Sequence, residues 1–186
     1  EPGFCMAWVG DNSASDPVFS PVFEIVNPDS VIFGSTFIVD VTTCYNDPSG
    51  EIQVLGASGG TGVFEYSNDD RTTWQGSNTF SGILGGTYKV WVRDENDCRT
   101  SVGDVVVNRP LDITISNSTT NITCHDANDG TITITASGGT GTLIYSIDGG
   151  ASYQASNLFE GLSAATYPIM VKDDNNCTKS GGNAIV

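Results

Sequence analysis

The hexapeptide ASGGTG occupies residues 57–62 and returns letter for letter at 136–141, an offset of 136 − 57 = 79. Around it the chain overlays on itself. Tyr66 falls on Tyr145, Gly82 on Gly161, Tyr88 on Tyr167, Asp94 on Asp173 and Cys98 on Cys177 at that offset, and Cys44 falls on Cys124 at 80. Such a register constrains the fold more than any other feature, because each copy must be a structural unit that tandem neighbours extend. One copy runs from "CYNDPSGEIQVLGASGGTGVFEYSNDD" to "FSGILGGTYKVWVRDENDC", the other from "CHDANDGTITITASGGTGTLIYSIDGG" to "FEGLSAATYPIMVKDDNNC".

Within a copy the apolar period is two. Ile132 and Ile134 share one face of "TITITA", Tyr167, Ile169 and Val171 one face of "TYPIMVKD", and Tyr88, Val90 and Val92 the matching face of the first copy. Leu143, Tyr145 and Ile147 alternate likewise, matched by Phe64 and Tyr66. "DGG" at 148–150 and "NDD" at 68–70 suit hairpin turns, because Asn, Asp and Gly tolerate positive φ. The glycines of ASGGTG read as a sharp strand-to-strand corner, not a phosphate loop, since no helix pattern follows and no Lys adjoins them. Strands at this spacing predict an all-β chain of tandem immunoglobulin-like antiparallel β-sandwiches with almost no helix.

The length of 186 residues suits two small domains. "FEIVNP" at 23–28 and "VVVNRP" at 105–110 occupy equivalent places, so the last strand of one unit is expected to pass through a short Asn/Pro hinge into the next. The units are expected to stack end to end. The division is 27–108 and 109–186. Residues 1–26 read either as the tail of a preceding repeat, "EPGFC" loosely matching "DENDC", or as an extension docking on the first domain.

With 22 Asp and Glu against 7 Lys and Arg, the net charge is −15, which argues against nucleic acid and for divalent cations as partners. No apolar run reaches the roughly 20 residues of a membrane helix, so no membrane insertion is expected. No signal peptide precedes Glu1, and the chain reads as a soluble, mature or excised piece.

Four of the five cysteines sit at equivalent places, so one bridge per unit is expected, Cys44 with Cys98 and Cys124 with Cys177, in an oxidising extracytoplasmic compartment. No CxxC favours metal thiolates, and Cys5 is left over. Those bridges would gather acidic loops at one pole of each unit: Asp126, Asn128 and Asp129 beside Asp173, Asp174 and Asn175, and Asn46 and Asp47 beside Asp94, Glu95 and Asp97. Two readings stand. Hard oxygen ligands from two loops suit Ca²⁺, whereas Asn, Asp and Gly also simply make turns and solubilise a tip.

Catalysis has little support. His125 is the sole histidine and lies in a turn-rich loop, the cysteines are expected in bridges, and no carboxylate pair stands out among so many. Trp74 and Trp91 are candidate ligand contacts, Trp91 lying opposite Val90, and Trp8 sits in the N-terminal segment. "NST" at 117–119 and "NIT" at 121–123 are sequons only in a eukaryotic host, and "DSV" at 29–31 resembles a Bacteroidota O-glycosylation motif.

The ordered set of Cys before a "DG" turn, "SGGTG", a "YS" strand, "GL…TY" and a "V-x-D-x-x-x-C" ending resembles the SprB-type repeat of Bacteroidota surface proteins, over roughly 44–107 and 124–186. The resemblance implies immunoglobulin-like modules of long cell-surface filaments exported by type IX secretion, with roles in adhesion and gliding. Partners would be neighbouring repeats or protomers of the same filament, and a surface glycan or protein ligand. The chain departs from that pattern at Asp97 and Asn176, where the family has Gly before its last Cys, and at "AATY", 164–167.

Overall fold

A computed structural model describes residues 29–186, all of them strand, turn or loop with no helix. Cys5, Trp8, "FEIVNP" and the reading of 1–26 as a preceding tail lie outside the described residues. The chain forms two compact units, one from residues through Val39 and Gly50–Val107, the other from Asn108–Val186 together with Asp40–Ser49. The segment Asp40–Ser49, part of the first copy in sequence, thus belongs to the second unit in space.

The first unit holds β1 (Ser35–Val39), β2 (Gly50–Leu55), β3 (Glu65–Ser67), β4 (Thr79–Ile83), β5 (Gly86–Arg93) and β6 (Arg99–Val107). The second holds β7 (Leu111–Thr120), β8 (Gly130–Gly139), β9 (Ile144–Ser146), β10 (Leu158–Leu162), β11 (Thr166–Lys172) and β12 (Thr178–Ile185). Each makes two three-stranded sheets, β1-β2-β4 and β3-β5-β6 in one, β7-β8-β10 and β9-β11-β12 in the other, every pairing antiparallel. That order is the A-B-E and C-F-G arrangement of an immunoglobulin-like sandwich without strand D.

The period-two faces are the cores. Ile132, Ile134, Ile169 and Val171 are buried with Ile113, Ala184 and Val186, and Leu143, Tyr145, Ile147 and Tyr167 pack against them. In the first unit Ile52, Val54, Val90, Val92 and Val107 are fully buried. Burying one such aliphatic side chain contributes about 1.5–3 kcal/mol.

A second device closes each sandwich. Tyr88 donates its hydroxyl to the Leu84 carbonyl at 2.6 Å, and Tyr167 to that of Ser163 at 3.0 Å. Both stand near the start of the strand that follows the corner, the tyrosine corner of immunoglobulin-like domains. This is why "TY" recurs after "GL" in both copies.

The disulfides depart from the expected pattern. Cys44 is bonded to Cys177, with Cα atoms 5.7 Å apart, across a sequence separation of 133. Cys124 is free and exposed. Cys98 is also in a disulfide, with neither Cys44 nor Cys124. The expected pairs Cys44–Cys98 and Cys124–Cys177 are therefore both corrected. A bridge needs Cα atoms within about 7 Å, and the segment carrying Cys44 packs into the second unit, against the turn that carries Cys177.

Candidate functional site

Four acidic positions of the expected pole face protein donors. Asp94 and Asp173 are buried, at 2% and 3% exposure. Asp173 accepts the N–H of Thr140 at 2.9 Å on one oxygen and that of Cys177 at 2.8 Å on the other. Asp94 accepts those of Thr61 at 2.9 Å, Asn96 at 3.0 Å and Cys98 at 2.8 Å. A buried carboxylate is tolerable only with such partners. Asp174 accepts the N–H of Thr142 at 3.0 Å, and Asp97 takes Arg99 Nε at 2.9 Å and Arg93 at 3.2 Å.

This pairing explains why ASGGTG recurs with "V-x-D-x-x-x-C". The glycine corner and the Asp turn are one joint, the Thr after the glycines donating to the buried Asp. Gly138 has φ +88°, and a Cβ there would stand 2.0 Å from the Asp112 carbonyl oxygen, so no side chain fits. Asp97 and Asn176, where the family pattern has Gly, adopt φ of 65° and 62°. Asp and Asn enter that left-handed region more readily than other side chains, which accounts for the departure.

The remaining candidates of the pole are dispersed. Asp129 accepts from Thr123 N at 2.9 Å and Oγ1 at 2.6 Å, Asp47 from Thr43 Oγ1, and Asp126 pairs with His125 at 2.9 Å, while Asn128 is exposed. Among the described residues no group of three or more His, Cys, Asp or Glu is placed to hold a metal ion.

Trp91 and Trp74 are half-buried beneath cations. The Arg71 guanidinium lies 4.4 Å from the Trp91 ring centroid, and Trp91 Nε1 donates to Asp70 at 3.1 Å. Arg93 lies 4.3 Å from the Trp74 ring. In the second copy Tyr153 and Lys172 hold the places of Trp74 and Arg93, with Nζ 4.4 Å from the ring. A cation–π pair kept in both units serves the sheet surface.

A set of specific contacts holds Asp40–Ser49 in the second unit. Besides the disulfide, Asn175 Nδ2 donates to the carbonyls of Thr42 and Thr43, both at 2.9 Å. Arg109 stacks over Tyr45 at 3.9 Å and donates to its hydroxyl oxygen at 3.1 Å. Asp40 accepts from Asn108 N at 2.8 Å and Nδ2 at 2.9 Å, and these bonds hold its carboxyl below the ordinary carboxylate range. Val41 is buried at 2% exposure and donates its N–H to Asn108 O at 2.9 Å. Cys44, Tyr45 and Asn46 line a cavity of about 150 Å³ with Pro110, Ile113 and Asp173. We refer to 40–49 as the hook.

The turn and glycine signals of the second copy fall within a stretch that is similar to a known family. Residues 116–152 match the SprB repeat. The SprB repeat match takes in the second half of β7, Cys124, β8 with its SGGTG corner, β9 and the DGG turn. A solved structure of the fibronectin(III)-like modules of Clostridium thermocellum CbhA is similar at 18% identity and a TM-score of 0.33, over 82% of this chain and 94% of that one. No curated protein matches the chain.

Several structural residues escape sequence reasoning. Gln75 Nε2 donates to the carbonyls of Ser77 and Thr79, and Asn78 Nδ2 to that of Val54. Gln154 and Asn157 repeat both roles, toward Ser156 and Leu158 and toward Ile134. Their signal was present, since "WQGSNTF" at 74–80 matches "YQASNLF" at 153–159 at the same offset. The hook partners Asp40 and Arg109 carry no repeat signal, whereas Asn108 falls in the Asn/Pro hinge matched at 23–28.

Proposed function

We propose that this chain is a non-catalytic module of a secreted bacterial cell-surface adhesin or filament, in which end-to-end repeats form a stalk for attachment or gliding. The observation that carries the reading is the Cys44–Cys177 bond, which ties the hook of one sequence copy into the unit built from the next. A disulfide of this kind suits an oxidising, extracellular setting. The SprB repeat at 116–152 supports the same surface location and its adhesive context.

The bond spans β2 to β11 and so withholds them from a pull on the chain ends. Its separation of 133 residues at roughly 3.4 Å each corresponds to about 450 Å of contour. Single-molecule stretching under oxidising conditions should lack this extension, and full reduction should add at least that length. Release of the whole contour from the oxidised chain would sink the reading. Partners are neighbouring repeats of the same filament, and any surface ligand would engage the array through other modules or the exposed loops.

A further inference from the structure

Residues 122–129 stand in the place of 42–49 at an offset of 80, with Thr43 and Cys44 matched by Thr123 and Cys124, and the two stretches fold the same turn. The Cys44 carbonyl accepts the N–H of Asp47 at 3.0 Å, and that of Cys124 accepts the N–H of Ala127 at 3.1 Å. Around Cys44 the turn is fully engaged, by the disulfide, by Asn175 on the two preceding carbonyls and by Arg109 on Tyr45. Around Cys124 the same positions stand open. Cys124 is exposed and reduced, and the side chain of His125, in the place of Tyr45, is 93% exposed.

The cysteines at the other equivalent position complete the asymmetry. Cys98 and Cys177, which end the two Asp-x-x-x-Cys turns, are both in disulfides. Of the two hook cysteines only Cys44 is. Thr123 donating to Asp129 holds the second loop in shape with its thiol outward.

We propose that 122–129 is a second hook, and that Cys124 forms a disulfide with the Asp-x-x-x-Cys cysteine of a further repeat of this type. This rests on the array reading above. The receiving repeat would offer what Asn108–Val186 offers to the first hook: an Asn side chain for the carbonyls of Ile122 and Thr123, and a reduced cysteine two residues beyond it. The bond forms by thiol–disulfide exchange with a small disulfide oxidant such as oxidised glutathione. The Cys124 thiolate attacks one sulfur and releases one thiol, and the partner's thiolate then attacks the mixed disulfide and releases the second. Two protons and two electrons pass from the two cysteines to the oxidant.

The test appends residues 108–186 after Val186 of the full chain, with Cys124→Ser in the added copy, and oxidises it in a glutathione buffer. The proposal expects loss of N-ethylmaleimide labelling at Cys124, and a non-reduced peptide map joining the Cys124 peptide to the peptide ending the added Asp-x-x-x-Cys turn. Cys124 still fully labelled while the added copy shows native hydrogen-exchange protection overturns the second hook and leaves the array reading intact. An added copy without protection counts against the array reading. A second arm, independent of the added copy, replaces residues 42–49 with the sequence of 122–129. A competent hook leaves Cys177 unlabelled, and labelling of Cys177 overturns the proposal.

Discussion

Replacing Asp173 by Ala should uncouple the glycine corner from the turn that carries Cys177. The carboxylate is 3% exposed and accepts two backbone N–H groups, of Thr140 at 2.9 Å and Cys177 at 2.8 Å. Hydrogen bonds to a charged group contribute about 1.5–3 kcal/mol each, and the orphaned donors keep their desolvation cost. Relief from burying a charge offsets part of this. The net expected loss is about 3–5 kcal/mol, which is roughly 150- to 5,000-fold in an opening equilibrium at about 1.36 kcal/mol per tenfold. Native-state hydrogen exchange of the amides of β8 (Gly130–Gly139) reads this opening within the second unit. Asp173→Asn keeps one acceptor and turns an amide donor toward the other N–H, so about half the loss is expected. Asp174→Ala, exposed and holding one bond to Thr142, should cost below about 1 kcal/mol. If Asp173→Ala exchanges within threefold of the parent, the joint does not hold the corner as argued.

Other consequences are open to measurement. Tyr167→Phe removes the hydroxyl bond to Ser163 and should destabilise the second unit by about 1 kcal/mol, Tyr88→Phe doing the same in the first; unchanged melting of both variants would contradict the tyrosine-corner assignment. Asn176, at φ 62°, should accept Gly with little change, whereas Asn176→Val should cost about 1 kcal/mol or more, and calorimetry ranking Val above Gly would refute the strain argument. The hydroxyl of Ser146, then Ser152, hold the Asp148 carboxyl well below its ordinary value of 3.8, so its stabilisation is complete above that value and is lost as pH falls from there toward the folded value. The gap in melting temperature between the parent and Asp148→Asn should narrow below about pH 4, and a gap constant to pH 2.5 would exclude this linkage. With Asp94 and Asp173 bonded to backbone donors, millimolar Ca²⁺ should leave melting unmoved, and a saturable calorimetric heat would support the calcium pole instead.

Much of the candidate site was legible before any coordinates. The acidic turns, the glycine corners and four of the five cysteines were visible as matched positions. Their chemistry was not, because Asp173 looks like its neighbour Asp174 in a string of letters. Depth separates them: the first closes a buried corner, the second faces solvent. Trp74 and Trp91 likewise read as candidate ligand contacts, and only the tertiary structure shows Arg93 and Arg71 over their rings.

Local patterns determined what local physics controls. Strand faces follow from period-two alternation, turns from residues that tolerate positive φ, and the copy register from repetition at 79 residues. The tertiary structure alone decided which cysteine meets which. A repeat says that Cys98 and Cys177 are equivalent, and this equivalence makes either an equal mate for Cys44. The choice falls to where the chain of 40–49 packs, and the bonds of Asp40, Val41, Thr42, Thr43 and Tyr45 to Asn108, Arg109 and Asn175 bring Cys44 to Cys177.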